Sequence, residues 1–291
     1  MCGIFGIAST KSIRNKLYKG LIKLEYRGYD SSGISGSDVS SKLTTIKATG
    51  PIKNLRTKLT SLTRITTGIA HTRWATHGEP ILKNTHPHLS DNISIVHNGI
   101  IENHVELRSL LKKKQYTFRS DTDSEVISHL INMNYKKTKN MESSIILTTK
   151  MLKGSYAIGC INTNYANTIF AACKGSPLII GKGLNENFIA SDIMPILSDT
   201  RHYITLDDNE FAKLTPSKIS IFNANKKIIS KKAKTSKINT EQSSLSGHKH
   251  FMHKEIFEQK AILKEMTNRY IGTNKILPNI FGPGTDKILE N

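Results

Sequence analysis

Cysteine is scarce in this chain. There are three thiols in 291 residues, Cys2, Cys160 and Cys173, and no CxxC among them. An odd set without paired spacing argues against a disulfide framework, and a reduced cytoplasmic setting is the expectation. Acid is also scarce, with 23 Asp and Glu against 42 Lys and Arg, a net charge of +19. The lysines are scattered, with short runs only at Lys112-Lys113-Lys114, Lys136-Lys137 and Lys226-Lys227, and no module interleaves aromatics with them. The charge therefore reads as a lysine-rich solvated surface, and no specific nucleic-acid partner is expected. No apolar run approaches the ~20 residues that span a bilayer, and "CGIFGIA" precedes its basic residues, the wrong order for a signal peptide. No membrane partner is expected either.

What is present is concentrated at the start. The chain opens "MCGIFGIA", placing a thiol where removal of the initiator methionine would make it the first residue. Cys2 would then carry an α-amino group and a thiol together, with reference pKa values of about 7.7–8.0 and about 8.5. The amine can serve as a neutral base for the thiol, the logic of base-activated N-terminal nucleophiles.

Residues 2–8 read as a buried strand. Ile13, Leu17, Leu21 and Leu24 then fall on one helical face, after caps at Thr10 or Ser12. A second helix is predicted from Pro51, with Ile52, Leu55, Leu59 and Leu62 at helical spacing. "GIAHTRWA" and "ISIVHNGII" read as strands ending in loops, and helices follow at 103–114, 122–134 and 142–153, the middle one opening with a Thr122–Glu125 capping box. From residue 154 short strands follow one another in hairpin-like succession, which implies antiparallel sheets packed on helices. "KTSKINTEQSSLSGHK" reads as a linker, and "HFMHKEIFEQKAILKEM" as a helix beyond it.

Three further stretches carry chemistry. Arg73, in "HTRWATHGEP", offers a planar guanidinium suited to a carboxylate, although in isolation it reads as a surface arginine. The Asn98-Gly99 step in "HNGI" marks a sharp turn that can aim a side-chain amide and a backbone N–H at one point, as an oxyanion hole requires. In "SDTDSEV", Asp121 and Asp123 are either helix caps or, for one of them, a receptor for a substrate ammonium. Histidines crowd positions 71–104, but there is no HExxH and no acidic ligand spacing, so neither metal nor cofactor is expected. Cys160 and Cys173 lie in apolar strands and read as inert core residues.

Taken in order, "CGIFGI", "LEYRGYDSSG", "GIAHTRWATHGEP", "HPH", "VHNGIIENH", "SDTDSEVI" and "ENFIASD" resemble the glutaminase domain of the glucosamine-6-phosphate synthases, class II glutamine amidotransferases. The resemblance implies an α+β, N-terminal-nucleophile hydrolase fold, a four-layer αββα sandwich of two antiparallel sheets between helices. It implies that Cys2 is the nucleophile and that Asn98 and Gly99 form the oxyanion hole. It further implies that Arg73 holds the glutamine carboxylate with Thr76 and His77 nearby, that Asp123 holds the α-ammonium, that Arg27 orders the site, and that Trp74 gates ammonia. The resemblance assigns residues 2–238 to this domain and 239–291 to a linker and the beginning of a sugar-isomerase half. The implied substrate is L-glutamine. Fructose 6-phosphate would be engaged only through a missing or separate isomerase domain, so that this chain performs the glutaminase half reaction. A homodimer is left open. The alternatives are a non-catalytic remnant or regulatory subunit with the same fold, and another class II enzyme such as amidophosphoribosyltransferase.

Overall fold

The computed structural model describes residues 2–38, 40–75, 78–238, 247–248 and 251–271. The chain divides into two compact units, Met1–Ile238 and Asn239–Asn291. In the first, β1 (Gly3–Ser9) leads to α1 (Arg14–Ile22), and β2 (Ser31–Asp38) and β3 (Leu43–Thr49) form a hairpin. A 3-10 helix, Ile52–Ser61, precedes β4 (Ile65–Arg73), and β5 (His88–Ser90) turns into β6 (Ile93–Ile101). Three helices follow, α2 (His104–Lys113), α3 (Glu125–Thr138) and α4 (Met141–Met151). The remaining strands are β7 (Gly154–Asn162), β8 (Ile169–Lys174), β9 (Ile179–Lys182), β10 (Glu186–Ala190), β11 (His202–Thr205), β12 (Glu210–Leu214), β13 (Ile219–Phe222), β14 (Ile228–Ile229) and β15 (Lys234–Thr235). In the second unit the described residues form α5 (Phe251–Tyr270), which leaves Met252, Ile256, Phe257 and Leu263 exposed.

Two antiparallel sheets result, ordered β15-β11-β9-β10-β1-β4-β2-β3 and β14-β13-β12-β8-β7-β6-β5. Alternation along each strand divides the core into three layers. On β1, Phe5 and Ile7 face out to pack with Leu17, Leu21 and Leu24 of the α1 region. Ile4 and Ala8 face in, where they meet Val96, Ala157 and Ala171 of the other sheet. On β6 and β7, Ile95, Tyr156 and Ile158 face out against Val126 and Leu130 of α3 and Ile145 of α4. Helices on sheet, sheet on sheet, sheet on helices: this is the expected αββα sandwich. It explains why β1 is buried along its whole length, since a central strand between two apolar layers has no wet face.

Four local expectations are corrected. Neither Thr10 nor Ser12 caps α1; its N-cap is Ile13, whose N–H is taken by the Ile65 carbonyl of β4. The segment after Pro51 is a 3-10 helix, and its apolar pairs three apart, Ile52/Leu55 and Leu59/Leu62, suit the three-residue repeat of that helix. The Thr122–Glu125 capping box does not form. Glu125 instead receives the backbone N–H groups of Arg119 and Ser120, while Thr122 Oγ1 meets His88 Nε2. Finally, Asn98-Gly99 is no hairpin turn. The two residues lie within β6, opposite Ala157 and Tyr156 of β7.

Candidate active site

The nucleophile candidate sits at the entry to β1, and its backbone is held from two sides. The Cys2 carbonyl oxygen accepts from Arg27 Nε at 3.2 Å and from Asn98 Nδ2 at 3.0 Å. Arg27 is itself fixed by an ion pair with Asp192 at 3.2 Å, and Tyr26 donates to the same carboxylate oxygen at 2.8 Å. Gly3 is required next to the nucleophile, because any Cβ there would lie 2.6 Å from Thr72 Oγ1 of β4. The Cys2 thiol rests against the backbone of Trp74, whose N–H points at Sγ from 3.3 Å. Burial pushes the thiol pKa up, against the opposing pull of the Trp74 N–H and of the Arg73 and Arg27 charges. The resting group is therefore a thiol, and it needs a base to become a nucleophile.

Arg73 ends β4 and is almost fully buried. Its guanidinium donates to the carbonyl oxygens of Gly78 at 2.8 Å and Glu79 at 3.1 Å, so the loop after β4 folds back over its own arginine. Asp30 steadies the same loop by accepting the Ala75 N–H at 2.8 Å. Trp74 is largely exposed, with its ring tilted against Tyr29 at 5.8 Å. Thr76 and His77 lie outside the described residues, as does Met1.

Asn98 and Gly99 arrive from the opposite sheet. Gly99 has φ +134°, and a Cβ there would collide with the Ser155 carbonyl on β7, so only glycine fits without displacing that strand. Asp123 is buried just before α3, where its Oδ2 accepts the Ile101 N–H at 2.8 Å. Asp121 is exposed and pairs with Lys83 at 2.8 Å, which separates the two aspartates that the sequence left together.

These parts share one small cavity of about 30 Å³, lined by Cys2, Arg73, Trp74, Gly99 and Asp123 together with His86, His97, Thr122 and Ser124. A family profile described as "Glutamine amidotransferase domain" matches residues 71–198. The chain is 42% identical over its whole length to the glutamine–fructose-6-phosphate aminotransferase (isomerizing) of Buchnera aphidicola, covering 48% of that protein. It is 45% identical to the one from Wigglesworthia glossinidia brevipalpis, over 92% of this chain and 45% of that protein. Residues 71–198 thus carry a glutamine amidotransferase domain. The chain spans about half the length of these relatives. Among solved structures, the B. subtilis glutamine phosphoribosylpyrophosphate amidotransferase complexed with ADP and GMP superposes with a TM-score of 0.66 at 25% identity, over 78% of this chain and 50% of that one. A class II glutamine aminotransferase domain protein from Silicibacter pomeroyi shares the fold, with a TM-score of 0.56 at 13% identity, over 76% of this chain and 99% of that one.

Several features of this site could not be read from the sequence. Asp192, quoted only as part of "ENFIASD", is the anchor of Arg27. The crowded histidines form a buried cluster, with His71 tilted against His86 (centroids 4.1 Å) and His86 edge-on to His88 (4.5 Å). Among the described residues no group of three or more His, Cys, Asp or Glu is arranged to hold a metal. His86 lines the cavity, and neither of its ring nitrogens has a hydrogen-bond partner among the described residues. The only sequence signal for the cluster was the histidine spacing, which by itself pointed to metal chemistry.

Proposed function

We propose that this chain hydrolyses L-glutamine to glutamate and ammonia through a thioester on Cys2. The observation that carries the reading is the convergence of Cys2, Arg73, Gly99 and Asp123 on one cavity, with the Asn98 amide hydrogen-bonded to the nucleophile's own carbonyl. After Met1 is removed, the free amine of Cys2 takes the thiol proton, and the Trp74 N–H supports the thiolate as it forms. The sulfur attacks the glutamine amide carbon. Asn98 Nδ2 and the Gly99 N–H receive the oxyanion, and the proton held by the amine leaves with ammonia. Water then adds to the γ-glutamyl thioester and glutamate departs, restoring the thiol. Arg73 takes the α-carboxylate, with Thr76 and His77 beside it, and Asp123 takes the α-ammonium. In this conformation the cavity has room for about one water, so glutamine enters by widening it.

Residues 2–238 act as the amidotransferase domain in this reading, and 239–291 form the connection toward a sugar-phosphate half like that of the longer relatives. The ammonia would serve hexosamine synthesis from fructose 6-phosphate in the cytoplasm, with Trp74 gating its passage. Identity of 38–45% to glutamine–fructose-6-phosphate aminotransferases favours this pathway over the phosphoribosyl one, for which the structural similarity comes with 25% identity. The intact catalytic set argues against a non-catalytic remnant. The test is an assay of glutamate and ammonia release from the purified chain, with and without fructose 6-phosphate. Release of both products in equal amounts is expected. No turnover by chain shown to have lost Met1 would overturn the reading.

A further inference from the structure

The Asn98 side chain is held at both ends. Its Nδ2 donates to the Cys2 carbonyl oxygen at 3.0 Å, and its Oδ1 lies 3.0 Å from Nε2 of His71. The same Nε2 lies 3.0 Å from the carbonyl oxygen of His97. A backbone carbonyl can only accept, so Nε2 must carry the proton, and an N–H facing Asn98 requires the amide oxygen on that side. Turning the amide over would set N–H against N–H at His71 and oxygen against oxygen at Cys2.

We propose that His71 is a positioning residue that fixes which way round the Asn98 amide lies and so keeps its donor aimed at the nucleophile. The inference deepens the glutamine-hydrolysis reading above and rests on it for its catalytic meaning. His71 is well placed for the role. It sits on β4 between Ile4 of β1 and Gly33 of β2, is fully buried, and its ring lies tilted against that of His86 with centroids 4.1 Å apart, so the imidazole has little freedom to turn. Its Nδ1 has no hydrogen-bond partner among the described residues, so a second proton there would be unsatisfied. Burial lowers its pKa to about 3, against the opposing effect of its bonds to Asn98 and His97, and the ring is neutral at working pH. A neutral ring has one proton, and both acceptors at Nε2 claim it. The Asn98 amide has two N–H groups, of which one is engaged by Cys2; the clamp leaves the other on the nucleophile's side for a developing oxyanion.

Two measurements test the clamp without depending on turnover. In the wild-type chain, ¹⁵N shifts of His71 should report the Nε2–H tautomer; an Nδ1–H tautomer would overturn the proposal. The Asn98 side-chain amide signals, identified by their loss in Asn98→Ala, should shift and exchange faster with solvent in His71→Leu. Unchanged signals there would also overturn it. In turnover, His71→Leu should lower kcat by about 10–10²-fold with the glutamine KM kept within about twofold, a smaller loss than deleting the oxyanion donor itself. His71→Gln, which can return a donor near the Nε2 position, should recover part of it. In an Asn98→Ala background, His71→Leu should cost nothing further, since the group it positions is gone. A full additional loss in the double variant, or a matching rise in KM, would mean that His71 only supports the sheet. A wild type with the expected tautomer and no glutaminase activity would sink the functional reading and leave the clamp standing.

Discussion

Arg27 is tied to Cys2 through the backbone: its Nε donates to the Cys2 carbonyl oxygen at 3.2 Å, while its other end is paired to Asp192. The arginine thus sets the position of Cys2 through its backbone carbonyl, at a place where chain ends are usually loose. Arg27→Gln should lower kcat by about 10–10²-fold, the size of effect expected from a small misplacement of a reacting group. Asp192→Asn should produce a weaker version of the same loss. A kcat unchanged in both variants would remove Arg27 from the site.

Burial raises the Cys2 thiol, and in the proposed mechanism the free amine is the base that takes its proton. Intact-mass measurement should show loss of Met1, and a variant that retains a residue before Cys2 should stay folded but lose turnover. Cys2→Ala should bind glutamine without hydrolysing it. Cys2→Ser should be severely impaired, because an alcohol is far harder to deprotonate than a thiol. Full activity with Met1 attached would exclude the amine as base.

Asn98→Ala should reduce kcat by ~10²–10³ with little change in KM, since its donor matters most once charge develops on oxygen. Asn98→Asp should be at least as harmful. It places an acceptor against the Cys2 carbonyl and a charge near the forming oxyanion. Steady-state kinetics settle the point; a loss confined to KM would assign Asn98 to ground-state binding.

Asp123 already accepts the Ile101 N–H, a bond that an asparagine oxygen can keep, so Asp123→Asn should fold normally. Its KM for glutamine should rise, and the penalty should shrink for an analogue lacking the α-amino group. Arg73→Lys should weaken binding despite keeping the charge, because it loses the two-point fork that also holds Gly78 and Glu79. Equal penalties on both compounds in Asp123→Asn would reduce that residue to a support for β6.

Acid should unfold this protein early. Burial drives His71, His86, His88 and His97 below the ordinary 6.5, so the folded state keeps them neutral while the unfolded chain protonates them. The charged neighbours are Arg73 and Lys47, which oppose protonation, and Glu125 beside His88 and Asp123 beside His97, which favour it without outweighing burial. The unfolded state binds more protons, so stability falls as pH drops below about 6.5, by about 1.4 kcal/mol per unit for each histidine that stays neutral in the folded state. Circular dichroism should show an acid transition that begins above the range in which carboxylates titrate. His86→Gln should make it less steep by about one proton. A transition only below pH 3 would contradict the burial assignment.

How far the sequence could be read depended on how local each cause was. β1 and the face of Ile13, Leu17, Leu21 and Leu24 were legible because alternation and helical spacing act over a few residues. The roles of Cys2, Arg73 and Asp123 could be suggested from their chemistry, but their convergence depends on which strands become neighbours. Asn98-Gly99 misled for that reason: the dipeptide favours a turn in isolation, and pairing with β7 holds it extended. The 3-10 helix after Pro51 has the same apolar spacing a short α-helix would show. The histidine cluster was beyond reach, since His71, His86, His88 and His97 meet only once β4, β5 and β6 are assembled.

Cys2 enters on a strand of one sheet and Asn98-Gly99 on a strand of the other, with the layer of Ile4, Ile69, Val96, Gly159 and Ile189 between them. The distance from sulfur to donor is therefore the spacing of two sheets, fixed by side chains that never meet a substrate. Gly159 acts as the shim in that layer, since a Cβ there would stand 2.6 Å from Ile189 Cδ1. A methyl group added at position 159 would first have to turn that side-chain end aside, and any push left over would widen the gap between the sheets that carry Cys2 and Asn98.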